Sequence, residues 1–287
     1  MATDILMTIH NRMDSFSKGQ KRIASYICDS YDKAAFMTAS KLGKMVKVSE
    51  STVVRFAAEL GFDGYPSMQK SLQEMVRNKL TSVQRLEVAN DRFSNQDVVS
   101  MVLQSDLESI RMTSEALDRG ALDRAVHAIL RAKNIYIVGV RSSAAIAMYM
   151  THYFRNIFDN VKMVNSSATS EMMEQMLHIS KDDVVIGISL PRYSSRTVKL
   201  MEFAKNSGAK VVVITDSNDA PTAKSADHTL VAKSDMVSVV DSLVAPMSLV
   251  NALIVSISRK KEQEMSRIFE NLEKIWEEYE VYERVKA

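Results

Sequence analysis

Two rhythms of apolar spacing divide this chain. Up to about residue 132 apolar positions recur at helical spacing; from residue 134 short β-branched runs alternate with helical stretches. SKGQKRIASYICDS puts Ile23, Ala24, Tyr26 and Ile27 on one helical face. Short helices are predicted at about 32–37 and 39–46. Another runs over about 50–60 and is stopped by Gly61, and a further one over about 66–80 is opened by Pro66, which the first helical turn tolerates. Residues 81–95, TSVQRLEVANDRFSN, are polar and weakly periodic and read as a linker. Asn95 then caps a long predicted helix, with Val98, Val99, Val102, Leu103, Leu107 and Ile110 on one side. A helix over about 120–132 follows.

The second half reads NIYIVGV, VKMV, DVVIGIS, KVVVITD and HTLVA as strands, each followed by a helical pattern, the last a long helix from about 239. Continuous apolar runs such as Val184–Ile188 and Val211–Ile214 suit strands buried on both faces. Alternating βα units of this length predict a parallel sheet with right-handed crossovers in a three-layer α/β sandwich. The charged C-terminal segment spaces Ile268, Leu272, Ile275, Trp276 and Tyr279 as an amphipathic helix, packing on its own domain or on a partner subunit.

Length and composition sharpen this. At 287 residues the chain suits two domains, on a scale of about 100–200 residues each. The boundaries read as 1–80 for an all-α domain, 81–95 for a linker and 96–287 for an α/β domain. Residues 1–80 hold 12 Lys and Arg against 8 Asp and Glu, whereas the remainder holds 25 against 27. A mildly basic front on a neutral body fits a nucleic-acid-binding head. The lone Cys28 permits neither an internal disulfide nor a cysteine-cluster zinc site. It lies among Ile23, Ala24 and Ile27 and reads as a structural thiol. The N-terminal segment carries acids and lacks an unbroken apolar core, so no secretory signal is expected. No run of about 18 apolar residues predicts a membrane span. The chain is expected in the cytoplasm.

The chemistry of the front lies in Thr38–Gly61, where two short helices joined by a tight turn suit a helix-turn-helix. Leu42, Val46, Val48, Val53 and Phe56 fall at its core positions, Gly43 allows close approach, and Ser49 is a good N-cap. The N-terminal part of the second helix then faces base edges in the major groove. It offers Glu50, Ser51, Thr52 and Arg55: an acceptor for cytosine, two adaptable hydroxyls, and a grip on guanine or phosphate. Lys44, Lys47 and Lys70 are candidates for phosphate contacts, as is the Tyr65 hydroxyl. The turn position before Val48 commonly holds glycine; here it is Lys47, which a left-handed turn strains. A plain helical bundle with a solvated polar face remains the competing reading.

In the second half, three polar loops follow strands: Gly139–Ser143, Asn165–Ser170 and Ser189–Thr197. Ligands of open parallel sheets collect at the carboxyl ends of the strands, and helix N-termini there suit an anion. Ser142 and Ser143 in the first loop, and Ser189, Arg192, Ser194, Ser195 and Thr197 in the third, are the candidate ligand contacts. Serines that merely cap helices are the alternative for any single loop. Only Gly139 of a dinucleotide fingerprint is present, and no metal-ligand spacing occurs, so neither cofactor nor metal is expected. Glu171, Glu174, His178 and His228 are conceivable general bases, but no pair has a spacing that marks it as catalytic.

The stretch VSESTVVRFAAELGFDGY resembles the N-terminal domain of the RpiR/MurR family of sugar-responsive regulators. The second half resembles the sugar isomerase (SIS) domain that this family carries. The resemblance implies a transcription regulator that binds a pseudo-palindromic DNA operator as a homodimer or homotetramer, without enzymatic activity. It also implies a sensing domain for a phosphosugar or sugar-acid effector. In the resemblance, Ser142 and Ser143 match the first serine loop, and Ser189, Ser194 and Thr197 match the second, usually Ser-x-Ser-Gly-x-Thr. Four residues, Leu190 to Tyr193, stand where one is typical, and Ser195 replaces the glycine, adding Arg192 near the expected anion. Because SIS domains also serve aldose–ketose isomerases, a sugar-phosphate isomerase with an appended helical domain is the alternative.

Overall fold

The computed structural model describes residues 5–77, 80–93, 97–236 and 238–283. It forms two compact units: Met1–Ser105 with Asp235–Ser242, and Asp106–Ser234 with Leu243–Ala287.

The first unit is helical. It comprises α1 (Ile5–Asn11), α2 (Lys18–Asp29), α3 (Tyr31–Ala34), α4 (Ala39–Val46), α5 (Glu50–Glu59), α6 (Tyr65–Arg77) and α7 (Ser82–Phe93). Caps legible in the sequence set several starts. Ser17 and Gln20 form a reciprocal capping box on α2, and Thr38 and Ser49 accept the first free amides of α4 and α5. Ile9, Ile23, Ile27, Leu42, Phe56 and Met68 are fully buried in one core, where the Phe16 and Phe56 rings meet edge-on at 5.1 Å.

Residues 81–95 are not a bare linker, since α7 occupies most of them. Its start is a capping box: the Gln84 amide N–H donates to Thr81 Oγ1 (3.2 Å), and Gln84 Oε1 accepts from the Thr81 N–H (2.9 Å). The T-x-x-Q signature was present in the sequence, but weak periodicity masked it. Asn95, the expected cap of the next helix, lies outside the described residues. Asp97 accepts from the Val99 amide (3.1 Å) and the Ser100 hydroxyl (2.5 Å), ahead of α8 (Val98–Ala116). The expected apolar side of α8 is largely exposed at Val98, Val99, Leu103 and Leu107, while Ser109 and Thr113 are buried. Thr113 tolerates burial because its hydroxyl donates to the Ser109 carbonyl (2.7 Å).

The second unit follows the expected alternation: α9 (Arg119–Arg131), β1 (Ile135–Gly139), α10 (Ser143–Ile157), β2 (Val161–Val164), α11 (Thr169–Glu174), β3 (Val184–Ile188), α12 (Ser195–Asn206), β4 (Lys210–Thr215), β5 (His228–Val231), α13 (Val244–Lys260) and α14 (Glu262–Glu278). The five strands are all parallel, in the order β2-β1-β3-β4-β5. Both faces are covered, which explains the unbroken apolar runs. Ile135, Ile137, Ile186 and Ile214 pack with residues of α9, α10 and α13; Tyr136, Val138, Val185 and Val213 pack with residues of α11 and α12. The last long helix begins at Val244 rather than near 239, because residues 236 and 241 form an antiparallel bridge before it. In α14 only Met265 is buried, and Ile275 and Tyr279 are exposed.

Candidate functional site

Two surfaces carry the polar residues singled out by the sequence. The first is the α4–turn–α5 hairpin. Gly43 sits where a Cβ would lie 2.9 Å from the Val48 carbonyl oxygen, so any side chain there would push the turn off the helix. Lys47 holds the left-handed conformation (φ 57°, ψ 52°), and the Val48 amide donates to the Gly43 carbonyl at 2.9 Å. The Arg22 guanidinium donates to the Lys47 carbonyl (3.3 Å), a further support for the strained turn.

Beyond the turn, Ser49 Oγ accepts from the Thr52 amide (3.2 Å) and lies 2.9 and 2.8 Å from the hydroxyls of Ser51 and Thr52. Arg55 Nε donates to the Ser51 carbonyl one turn back (3.3 Å). Lys44, Lys47, Ser49, Glu50, Ser51 and Arg55 are exposed, and Thr52 is half-buried. The first turns of α5 thus present hydroxyls, one carboxylate and one guanidinium, with lysines alongside. Lys70 is also exposed, on α6.

Tyr65 is a correction. Its hydroxyl donates to the Met37 carbonyl (2.6 Å), and the residue is buried. Burial pushes the phenol pKa up to about 12. The same carbonyl also accepts from Gln69 (2.7 Å). Tyr65 therefore braces the loop between α3 and α4 from the start of α6, and its hydroxyl is not available to a phosphate.

The second surface is the carboxyl end of the sheet. Gly139 and Ile188 are register partners at the ends of adjacent β1 and β3. The chain leaves β1 for α10 on one face and β3 for α12 on the other, so the strand order reverses between them. Such a switch point is where open α/β sheets form a crevice. A Cβ on Gly139 would lie 2.6 Å from the Ser143 carbonyl oxygen and 2.8 Å from Ala147 Cβ. Glycine thus lets the N-terminus of α10 settle close against the strand end.

At this end Ser142 is exposed and makes no side-chain cap, while Ser143 is buried. In the β3–α12 segment, Ser189 is 2% and Thr197 1% exposed, and neither hydroxyl has a hydrogen-bond partner among the described residues. A buried hydroxyl without a partner costs about 1–3 kcal/mol, so this loop retains unspent bonding capacity. Ser194 serves as the N-cap of α12, accepting from the Arg196 amide (3.3 Å), and Ser195 is exposed.

The enlarged part of the loop is ordered by its own residues. Leu190 joins the core, Pro191 is buried, and the Tyr193 hydroxyl donates to Asp216 Oδ1 (2.8 Å) just past β4. Arg192 is left exposed at φ 60°. Arg141, which the sequence reading passed over, is likewise exposed at φ 56° in the β1–α10 loop. Each loop at the switch point therefore bears one arginine in a left-handed conformation that non-glycine residues rarely adopt. Nothing in the local sequence signals that backbone state.

The loop after β2 closes on itself. Its Asn165 backbone exchanges two bonds with the Gln175 amide (3.1 and 3.0 Å), and the Ser166 hydroxyl pairs with Glu171. Glu174 and His178 lie exposed on the solvated face of that helical segment. His228 begins β5, at the end of the sheet opposite the switch point. Burial, together with nearby Arg124, Lys210 and Lys205, outweighs the attraction of Asp227 and lowers its pKa. Among the described residues, no group of three or more His, Cys, Asp or Glu is placed to hold a metal ion, and no helix is long and apolar enough to cross a membrane.

Comparison with known proteins finds a family match on each half of the chain. Residues 3–79 match the helix-turn-helix domain of the rpiR family, and residues 128–256 match the SIS domain. The HTH-type transcriptional regulator HexR of Escherichia coli is 28% identical over 224 residues, covering 78% of this chain and 75% of that protein. The sugar isomerase domain of an RpiR transcription factor from Sphaerobacter thermophilus superposes with a TM-score of 0.59 at 26% identity, over 62% of this chain and 99% of that one. The Vibrio vulnificus NanR protein, solved in complex with ManNAc-6P, shares the fold with a TM-score of 0.58 at 21% identity, over 95% of this chain and 98% of that one. The chain belongs to the RpiR family of transcription regulators, with an N-terminal helix-turn-helix domain and a C-terminal SIS domain.

Proposed function

We propose that this regulator binds a DNA operator through α5 and senses a phosphorylated sugar, or a related anionic sugar derivative, at the carboxyl end of β1 and β3. The observation that carries the sensing half is the pair of buried, unpartnered hydroxyls on Ser189 and Thr197. A ligand with several acceptor oxygens restores both bonds, and charge-assisted bonds are roughly twice as strong as neutral ones. Arg192 and Arg141 supply cations, and the N-terminus of α10 beside Ser142 and Ser143 supplies free amides. In the DNA half, Glu50, Ser51, Thr52 and Arg55 read base edges, and Lys44, Lys47 and Ser49 hold the backbone. A homodimer presents two such helices to a pseudo-palindromic site.

The solved NanR complex with ManNAc-6P supports a phosphosugar as the ligand class. The isomerase reading needs a base beside the sugar's C1 and C2. Glu174 and His178 are exposed, Glu171 pairs with the Ser166 hydroxyl, and His228 stands at the opposite end of the sheet from the loops after β1 and β3. The test is a thermal-shift screen of the full chain against sugar phosphates and sugar acids, with binding confirmed by calorimetry. Any binder is then incubated with the protein in D2O and followed by NMR. Binding without exchange of the C2 proton is expected. Exchange would establish the isomerase, and an absence of binders across the panel would remove the sensing role.

A further inference from the structure

The helical unit is completed by a piece of chain from far along the sequence. Residues 235–242 leave the carboxyl end of β5, the same end of the sheet as Ser189 and Thr197, and return to open α13. Between these points they fold as a small hairpin, with a Met236–Asp241 bridge and the Ser242 amide donating to the Asp235 carbonyl (2.9 Å). Met236 lies in the helical core, and Asp241 holds Arg85 of α7 through two bonds of 3.0 and 2.9 Å.

Arg85 is 1% exposed, and α7 buries it on the same side as Ala89 while Val83 and Leu86 stand exposed. A guanidinium is held inside only with a partner that offsets its lost hydration, and removing one member of such a pair is strongly destabilising. Asp241 thus helps to hold this face of α7 inward. At the root of the hairpin, the Lys233 amide donates to Thr113 Oγ1 of α8 (2.9 Å), and Ser234 is fully buried with a partnerless hydroxyl. The hairpin therefore follows directly on the sensing unit and is held in the helical unit through Met236 and Asp241.

We propose that the 235–242 hairpin is the regulatory link of this protein: it carries the state of the effector end of the sheet into the helical unit, and the Arg85–Asp241 pair latches it there. This rests on the regulator reading above. Linkage makes the link measurable without knowing the effector, because DNA binding must act back on the sensing unit if the sensing unit acts on DNA binding.

The probe is a duplex selected by the full chain from a random pool. Hydrogen exchange of peptides covering 186–200 and 228–244 is followed with and without that duplex, in the wild type and in the double variant Arg85→Met/Asp241→Leu. That variant replaces the pair with apolar residues, a change that often preserves folding, and Arg85→Leu/Asp241→Leu serves as a second replacement of the whole pair. The expected result is a duplex-induced change of exchange at both peptides in the wild type, lost in the variants while duplex affinity and melting behaviour persist. A change that survives in the variants, or is absent from the wild type although the duplex binds, overturns the link alone. Failure to recover any duplex overturns the DNA-binding reading and the link with it.

Discussion

Removing the two partnerless hydroxyls should make the protein more stable and a worse receptor. Ser189→Ala and Thr197→Val leave the shape of the loop nearly unchanged, and Thr→Val is close to isosteric. Both hydroxyls are buried and unbonded among the described residues. A buried polar group in that state costs about 1–3 kcal/mol. Taking the low end at each site, the double variant gains about 2 kcal/mol. For a domain of this size that raises Tm by about 4–8 °C. The two positions share a loop, so coupling between them is measured by including both single variants. On the ligand side, each lost bond to a charged oxygen costs about 1.5–3 kcal/mol, or roughly 10- to 150-fold in Kd. The assay is calorimetric melting of the full chain, following the SIS transition, paired with isothermal titration of a sugar phosphate found in the screen. Unchanged or lowered stability together with undiminished binding would refute the reasoning, because the hydroxyls would then be satisfied and elsewhere employed.

Three further outcomes are expected. Arg55→Ala should weaken binding of a selected duplex by about 1–3 kcal/mol, roughly 5- to 150-fold, in a gel shift; intact binding and sequence preference would exclude α5 as the reader. Tyr65→Phe should leave DNA affinity unchanged, and it should also remove a pH dependence. The raised phenol pKa of about 12 contributes stability that is complete below the ordinary value near 10 and disappears as pH rises through 12. Urea melts of the wild type between pH 9 and 12 should therefore lose about 2–3 kcal/mol that the variant does not lose. Gly139→Ala should destabilise the SIS unit by about 1–3 kcal/mol in chemical denaturation, since the added methyl meets the Ser143 carbonyl and Ala147; an unchanged midpoint would show that α10 is free to retreat from the strand.

Much of the architecture was legible in the sequence because its causes are local. The 3.6-residue spacing in α2, the caps at Thr38 and Ser49, and the unbroken runs Val184–Ile188 and Val211–Ile214 each act within a few residues. The helix-turn-helix spacing also placed Lys47 in the turn, and the structure gives it the left-handed conformation that its position demands. The enlarged Leu190–Tyr193 loop was visible as an insertion.

Only tertiary structure decided the rest. Tyr65 looked accessible at a helix start, but its hydroxyl finds a carbonyl 28 residues away. The burial of Ser189 and Thr197 without partners is set by tertiary packing around the β3–α12 loop, which no local pattern encodes. α7 read as linker because its inward face carries an arginine. That face is permitted by a carboxylate 156 residues later, and a charge can be buried only where the fold brings its partner. The sequence by itself determined which elements form and which family they compose; the fold determined which polar groups are already satisfied and which still await a partner.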